Sequence, residues 1–107
     1  MAVKRLWHGW TTRESAERYQ TLLKDVVFPG IEAKEIPGYR SIELLRRELE
    51  DEVEFVTIMT FDSLKSVIDF QGQDYQRSYV PEDAQKILKR WDQASLHYEV
   101  METREYA

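Results

Sequence analysis

The sequence contains no cysteine, so disulfides, thiolate nucleophiles and cysteine-based metal sites are all excluded. It has no glycine-rich phosphate loop and no nucleophile elbow. No apolar run approaches the length of a membrane span, and the N-terminal MAVKRLWHGW lacks the apolar core of a signal peptide. Basic residues are scattered and the formal net charge is -5, so neither nucleic acid nor a membrane is expected as a partner. The expected location is the cytoplasm.

What the chain does contain is typical of one globular domain. Of its 107 residues, 33% are charged and 42% are apolar, and we expect residues 1–107 to form a single domain. Aromatic residues make up 12%, including three tryptophans, which is a rich content for this length. Such side chains usually build the core, and less often line a pocket for a flat ligand.

The first third of the chain predicts a strand followed by a helix. Residues 3–10 are rich in aromatic and apolar side chains and predict the strand. The TTRE that follows indicates a capping box, with Thr11 as N-cap and Glu14 three residues later. Pro29-Gly30 is expected to interrupt the helix. Its apolar stripe comprises Ala16, Tyr19, Leu22, Leu23, Val26 and Val27.

A β-hairpin and a second helix are predicted next. Residues 39–49 and 52–61 are strand-like runs joined by an acidic turn. The helix over residues 63–71 is expected to begin at an Asp62 cap and to stop at Gly72. Its predicted inward-facing residues are Leu64, Val67 and Ile68.

The last third predicts an irregular stretch, a short helix and a strand. Pro81 suits the first turn of the helix, and Ala84, Ile87 and Leu88 share one face of it. In residues 94–100, ASLHYEV, apolar and polar side chains alternate as in a strand.

The resulting order β-α-β-β-α-β predicts an α+β protein of the ferredoxin-like kind. In that plan a four-stranded antiparallel sheet carries both helices on one face. The first and last strands are neighbours, so His97 is expected near Trp7, His8 or Gly9.

The strand over residues 52–61 is apolar on both sides. Phe55, Thr57, Met59 and Phe61 point one way, and Val56 and Ile58 point the other. Helices can cover only one face of the sheet, so the second requires another cover. A second copy of the chain is the nearest candidate, which predicts a homodimer with its two sheets face to face.

Several segments together resemble the antibiotic biosynthesis monooxygenase family, which belongs to the dimeric α+β barrel superfamily. They are RLWHGWTT, YRSIELLRRE, EFVTIMTFDSLKSVIDFQG and LHYEV, and the likeness extends over about residues 3–101. The resemblance implies a protomer whose sheet packs on that of its twin, with a pocket between sheet and helices. Characterised members include oxygenases that oxidise anthrone-type aromatics without metal or flavin, and haem-degrading enzymes.

The sequence departs from that family in one respect. Its catalytic members generally use an asparagine in the pocket, and the haem-degrading group combines it with tryptophan and histidine. This chain has no asparagine, which disfavours haem degradation. Trp7 and His97 are the matching candidates for pocket residues, and no cofactor is expected.

His97 is the candidate general base. Cofactor-free oxygenation needs a substrate that reduces O2 itself once a base has removed its proton, and a neutral imidazole suits that role. The alternative is a structural histidine that is hydrogen-bonded to a carbonyl or to a neighbouring carboxylate such as Glu99.

Five more residues are candidates for binding an aromatic substrate: Trp7, Arg47, Asp74, Tyr75 and Tyr79. Trp7 supplies a flat wall, and Arg47 a cation for a developing anion. The other three lie in the irregular stretch, where a loop closes a pocket mouth. Ordinary packing, capping and a solvated strand end are the alternative explanations. No ligand spacing indicates a metal site.

Two functions of different class follow from these observations. The first is a cofactor-independent monooxygenase that oxidises a small aromatic or quinol-like metabolite with O2. The second is a non-catalytic dimeric domain that binds a small ligand or only assembles. They differ in whether His97 opens into a cavity lined by Trp7 and other aromatic residues.

Overall fold

A computed structural model describes residues 1–107 as five strands and four α-helices. The elements in chain order are β1 (Val3–Thr11), α1 (Ala16–Leu22), a π-helical segment (Leu23–Val27), α2 (Phe28–Glu32), β2 (Tyr39–Glu48), β3 (Val53–Phe61), α3 (Leu64–Gln71), α4 (Glu82–Gln85), β4 (Arg90–Trp91) and β5 (Leu96–Glu99). None of the helices combines the length and apolarity that crossing a membrane requires.

The strands form one antiparallel sheet in the order β2-β3-β1, and both β4 and β5 pair with the free edge of β1. The predicted α+β, ferredoxin-like class is therefore confirmed. The last strand is shorter than predicted because the chain leaves β1 after β4. Between β4 and β5 the chain is hydrogen-bonded to the loop that precedes α4: Ser78 N donates to Gln93 O at 3.2 Å, and Ser95 N donates to Gln76 O at 2.7 Å.

The predicted capping box of the first helix is wrong. Thr11 is the last residue of β1 and is fully buried, and its hydroxyl donates to Thr12 O at 2.8 Å. Thr12 accepts a bond from Ser15 N at 3.1 Å, so the local polar contact lies one residue later. α1 begins only at Ala16.

The predicted interruption at Pro29-Gly30 is also wrong, since helical structure continues from Ala16 to Glu32. Pro29 lies in the first turn of α2, where its missing amide is tolerated. The π-helical segment widens the helix just before it and changes the spacing of the buried stripe. The stripe consists of Ala16, Tyr19, Leu23, Val27 and Ile31, while Val26 is 56% exposed.

Two details of α3 differ from the prediction. Ser63 rather than Asp62 is the N-cap and accepts from Ser66 N at 3.4 Å, while Asp62 pairs with Arg40 at 2.5 Å. Leu64, expected inside, is 39% exposed. Val67 is buried as predicted, and so is Phe70, which the prediction omitted.

The sheet has an inner face, which the helices cover, and an open face. On β3 the predicted alternation is confirmed, because Phe55, Met59 and Phe61 are buried while Val56 and Ile58 are only half-buried on the opposite side. Tyr19 packs edge-on against Phe55 at 4.9 Å between ring centres. The open face carries the apolar residues Leu6, Leu45, Val56, Ile58, Leu96 and Tyr98, which the strand register places side by side.

Candidate functional site

A cavity lies between the inner face of the sheet and the helices. It has a volume of about 40 Å³ and opens to solvent through a wider mouth. The interior therefore has room for a few waters, and a larger ligand requires its walls to move apart. Twelve of the sixteen lining residues are hydrophobic; the other four are Arg5, Thr57, Pro81 and Ser95.

Arg5 is the charged group of this cavity. It occupies an inner position of β1, and only 2% of its surface is exposed. Its Nη1 donates to Tyr75 O at 2.6 Å and to His97 Nε2 at 2.9 Å, and its Nη2 donates to Arg77 O at 3.0 Å. Burial lowers the pKa of Arg5 to about 10, so the guanidinium is still charged at neutral pH.

No carboxylate compensates that charge. Arg5 makes no ion pair, and no aspartate or glutamate lines the cavity. The three acceptors engage three of the five N–H donors that a guanidinium carries. The Nε–H and one N–H of Nη2 bond to no protein acceptor. Arg5 therefore lines the cavity with a charge that no carboxylate compensates and with donors that the protein leaves unused.

Ser95 is the second polar group with unused capacity. It is 4% exposed, it lines the same cavity, and its buried hydroxyl has no hydrogen-bond partner. Buried hydroxyls are nearly always paired in folded proteins, so this one indicates a missing acceptor or donor. Sequence reasoning overlooked both Arg5 and Ser95. The signal available for Arg5 was its place between Val3 and Trp7 on the buried side of an alternating strand.

His97 lies directly opposite Arg5 in the pairing of β1 with β5, not beside Trp7, His8 or Gly9 as expected. Because guanidinium only donates, Nε2 of His97 is the acceptor and Nδ1 carries the proton. Burial, and then the charge of Arg5, lower the pKa of His97 to about 4. The imidazole is half-buried behind Arg5 and is not part of the cavity wall.

This lowered pKa predicts how stability depends on pH. Above pH 6.5, the ordinary pKa of histidine, the ring is neutral in the folded and unfolded chains. Between pH 6.5 and about pH 4, His97 is protonated in the unfolded chain but stays neutral in the folded protein. The free energy of unfolding therefore decreases as the pH falls through this range. We expect Tm to fall less steeply between pH 7 and pH 5 in His97→Gln than in the wild type. Parallel Tm curves for the two proteins would contradict the assignment.

Trp7 lies where the sequence predicted a pocket residue. It is 7% exposed, lines the cavity and donates its indole N–H to Asp92 O at 3.0 Å. Gly9 makes room for the indole, since a Cβ at that position would lie 2.6 Å from the ring. His8 points to the other face of the sheet and pairs with Asp92 at 2.8 Å.

Of the three loop candidates, only Tyr79 lines the cavity. Tyr75 contributes its carbonyl to Arg5 and packs its ring edge-on against His97, with 5.2 Å between ring centres. Asp74 borders a second, more open concavity, which shares Tyr79, Val80 and Pro81 with the first. The loop thus forms the rim between an outer polar hollow and the inner cavity.

For Arg47 the structure corrects the prediction. Its side chain is 70% exposed and pairs with Glu54 at 2.6 Å. Both residues lie on the open face, so the sheet separates Arg47 from the cavity. The cation that does face the cavity is Arg5. Elsewhere, no three histidine, aspartate or glutamate side chains are gathered closely enough to hold a metal ion.

No protein-family model matches the chain, and no curated protein matches it. Solved structures do. A candidate antibiotic biosynthesis monooxygenase from Bacillus cereus matches with a TM-score of 0.65 at 9% identity, covering 100% of this chain and 98% of that one. SnoaB, a cofactor-independent oxygenase from Streptomyces nogalater, matches with a TM-score of 0.60 at 16% identity, covering 95% of both chains.

A third match is a dimeric ferredoxin-like protein from an uncultured marine organism. Its TM-score is 0.60 at 13% identity, and the match covers 99% of this chain and 100% of that one. The fold implied by the sequence resemblance is therefore confirmed by solved structures, among them one that carries the family's name. Identities this low establish a shared fold, and chemistry must be argued from the residues of this chain.

Proposed function

We propose that the cavity binds a small aromatic or quinol-like metabolite and that the protein oxidises it with O2 without a cofactor. The observation that carries this proposal is the uncompensated guanidinium of Arg5 in a wall otherwise built from apolar and aromatic side chains. Such a site favours a flat molecule that acquires negative charge. The fold shared with SnoaB, itself a cofactor-independent oxygenase, supports the same class of reaction.

The chemistry requires an electron-rich anion. A ring-activated CH2 group or a phenol loses a proton to water, and the anion transfers an electron to O2; the peroxide anion formed afterwards takes a proton back from water. The substrate radical and superoxide then combine into a C–O bond. Loss of water from the peroxide converts CH2 into C=O. One oxygen atom enters the product, the other leaves as water, and the four electrons lost by the carbon are gained by O2.

Arg5 supplies the driving force for the first step. An ion pair at about 4 Å is worth about 4 kcal/mol at an effective dielectric constant near 20. That energy lowers the pKa of the substrate by about three units. A phenol with an ordinary pKa near 10 then ionises close to neutral pH, and no strongly basic side chain is needed.

We assign His97 the role of positioning Arg5. Its Nε2 lone pair already accepts from the guanidinium, and the ring lies outside the cavity wall. A base with a pKa of about 4 is also a poor match for a phenolic proton. These three observations argue against the general base that the sequence suggested.

The assignment predicts the kinetics of His97→Gln. The glutamine amide oxygen is able to accept from Arg5 in place of Nε2, so turnover should remain within a few-fold of wild type. A general base would instead be worth about 10²–10⁴-fold in rate. His97→Leu, which has no acceptor, is the matched control and should lose more activity than His97→Gln. A hundredfold loss in a stably folded His97→Gln protein would restore the base assignment.

We further propose that the protein is a homodimer joined through the open faces of its sheets. Leu45, Leu96 and Tyr98 are 44%, 50% and 54% exposed on that face, and exposed apolar side chains gathered on one face are typical of an interaction surface. The match to a dimeric ferredoxin-like protein supports a second copy as the occupant. Light scattering at low micromolar concentration should return about twice the 12.8 kDa chain mass.

The proposed oxygenation is tested by O2 uptake with a panel of phenols, hydroquinones and anthrone-type ketones. We expect at least one compound to consume O2 in proportion to product, at equal rates with and without a metal chelator. Product should carry one labelled oxygen when 18O2 is supplied. No uptake across the panel would leave the alternative, a non-catalytic dimeric domain that binds a small ligand or only assembles. The hydrogen bond that ties His97 to Arg5 favours that alternative, and the narrow interior of the cavity favours assembly over binding.

A further inference from the structure

We propose that Arg5 and Ser95 form an anion subsite, and that the ligand of the cavity is an aromatic ring bearing an ionised oxygen, as a phenolate, an enolate or a carboxylate. The inference rests on the proposed function for the cavity being a ligand site. It goes further by naming the charge that the ligand carries and the two residues that recognise it. Binding alone tests it, whether or not O2 is consumed.

The arginines of this chain differ in the groups that they bind. Arg40 and Arg47 each donate hydrogen bonds from both Nε and Nη2 to one carboxylate group, at distances of 2.5–2.9 Å. Arg5 is far more buried than either, yet it bonds only to two carbonyls and a neutral imidazole, and its Nε–H is unengaged. The donor that the exposed arginines use for carboxylates is therefore free at the one arginine that lines the cavity.

Ser95 offers a second unused donor to the same ligand. Its hydroxyl is the one buried side-chain polar atom of the protein without a hydrogen-bond partner, and its residue lines the same cavity as Arg5. A ligand oxygen that accepts from this O–H satisfies a group that the fold leaves unpaired. Charged acceptors form stronger hydrogen bonds than neutral ones, so an ionised oxygen gains most from the pair.

The rest of the wall selects an aromatic framework. Trp7, Phe28, Phe70 and Tyr79 present flat apolar surfaces, and no acidic side chain is present to attract a cation. A small inorganic anion meets the guanidinium but gains nothing from these rings. An uncharged aromatic gains the ring contacts but leaves Arg5 without a counter-charge.

Two matched pairs of probes separate charge from shape. They are 4-nitrophenol with its methyl ether 4-nitroanisole, and 2-naphthoate with 2-naphthamide, measured by calorimetry on the intact protein above the pKa of the acid. An opposite charge at 4–6 Å is worth about one to three pKa units. We therefore expect the anion of at least one pair to bind about 10- to 1,000-fold more tightly. The pair with the larger ratio shows whether phenolate or carboxylate is preferred.

Ser95→Ala is the decisive variant, because it removes a hydroxyl on which no contact of the fold depends. A hydrogen bond to a charged group accounts for about 10- to 100-fold in affinity. Ser95→Ala should therefore weaken binding of the anion by that factor, with Tm unchanged or higher and with neutral-probe affinity unchanged. Arg5→Met should abolish the preference for the anion, and Arg104→Met, an equivalent change in an exposed residue, should preserve it.

Equal affinity for the charged and neutral members of both pairs overturns the subsite, as does a Ser95→Ala protein with an unaltered preference. If Arg5→Met does not fold, the wild-type pairs and Ser95→Ala still decide the question. Anion binding without any O2 uptake would remove the proposed oxygenation and keep the subsite. O2 uptake with no preference for anions would remove only the subsite.

Discussion

The variant Ile58→Lys is expected to be a monomer. Ile58 lies near the centre of the open face, between Leu6 on β1 and Glu43 on β2. In a symmetric dimer each substitution appears twice, and exchanging a buried apolar residue for a lysine beside Glu43 costs about 1–4 kcal/mol per copy. The dissociation constant should therefore rise by about 30-fold to 10⁶-fold. In the free monomer the lysine remains in water beside Glu43, so the fold itself should tolerate the change.

Light scattering at several concentrations measures the effect. The wild type should give about twice 12.8 kDa and Ile58→Lys about the mass of one chain. Val26→Lys places the same charge at a 56% exposed helical position on the other side of the molecule and should remain dimeric. An Ile58→Lys protein that stays a dimer would show that the chains associate through a different surface.

Gly38→Ala is expected to be strongly destabilising. Gly38 has a φ of +84°, a conformation that side chains disfavour, and a Cβ there would lie 2.2 Å from Ser66 Oγ. Rotation of the hydroxyl leaves Ser66 Cβ still at 3.1 Å and Asp62 Cβ at 3.3 Å. Strain and overpacking together should cost about 2–4 kcal/mol, or a fall in Tm of about 8–16 °C.

Gly30→Ala is the matched control, and its expected effect has the opposite sign. Gly30 is an exposed residue of α2, and a Cβ added there meets nothing within 4 Å. Alanine should stabilise the helix by about 0.5–1 kcal/mol. Thermal unfolding of both variants at one protein concentration gives the comparison. Similar Tm values for the two would contradict the backbone geometry of the turn before β2.

The sheet was predictable because its signals are local and periodic. The two faces of β3 follow from alternation in a single stretch of sequence, and the hairpin needs only neighbouring residues. The helical region was less predictable. A π-helical segment shifts the buried stripe, so Val26 points outward and Ile31 inward. The helix also continues through Pro29-Gly30, a pair that normally ends a helix.

Most of the candidate site could not be predicted from the sequence because it depends on contacts between segments that are distant along the chain. The guanidinium of Arg5 forms hydrogen bonds with a histidine ninety-two positions later and with two carbonyls of the loop. No local sequence pattern predicts such contacts. The position of His97 on the last strand was also predicted incorrectly, since it lies opposite Arg5. The polar residues of this strand, Ser95 and His97, face the helices, while its apolar residues Leu96 and Tyr98 lie on the open face.

The hydrogen bonds of Arg5 also hold the loop before α4. Residues 72–80 contain no helix or strand, and their backbone is held by Arg5 and by the short segment between β4 and β5. Local opening of this unit exposes the amides of Ser78 and Ser95 to solvent while the sheet stays intact. Hydrogen exchange at these two amides should therefore be faster than in β3 and should slow when an anion occupies the cavity. If an anion binds Arg5 as proposed, the same residues couple ligand charge to the rate at which the mouth of the cavity opens.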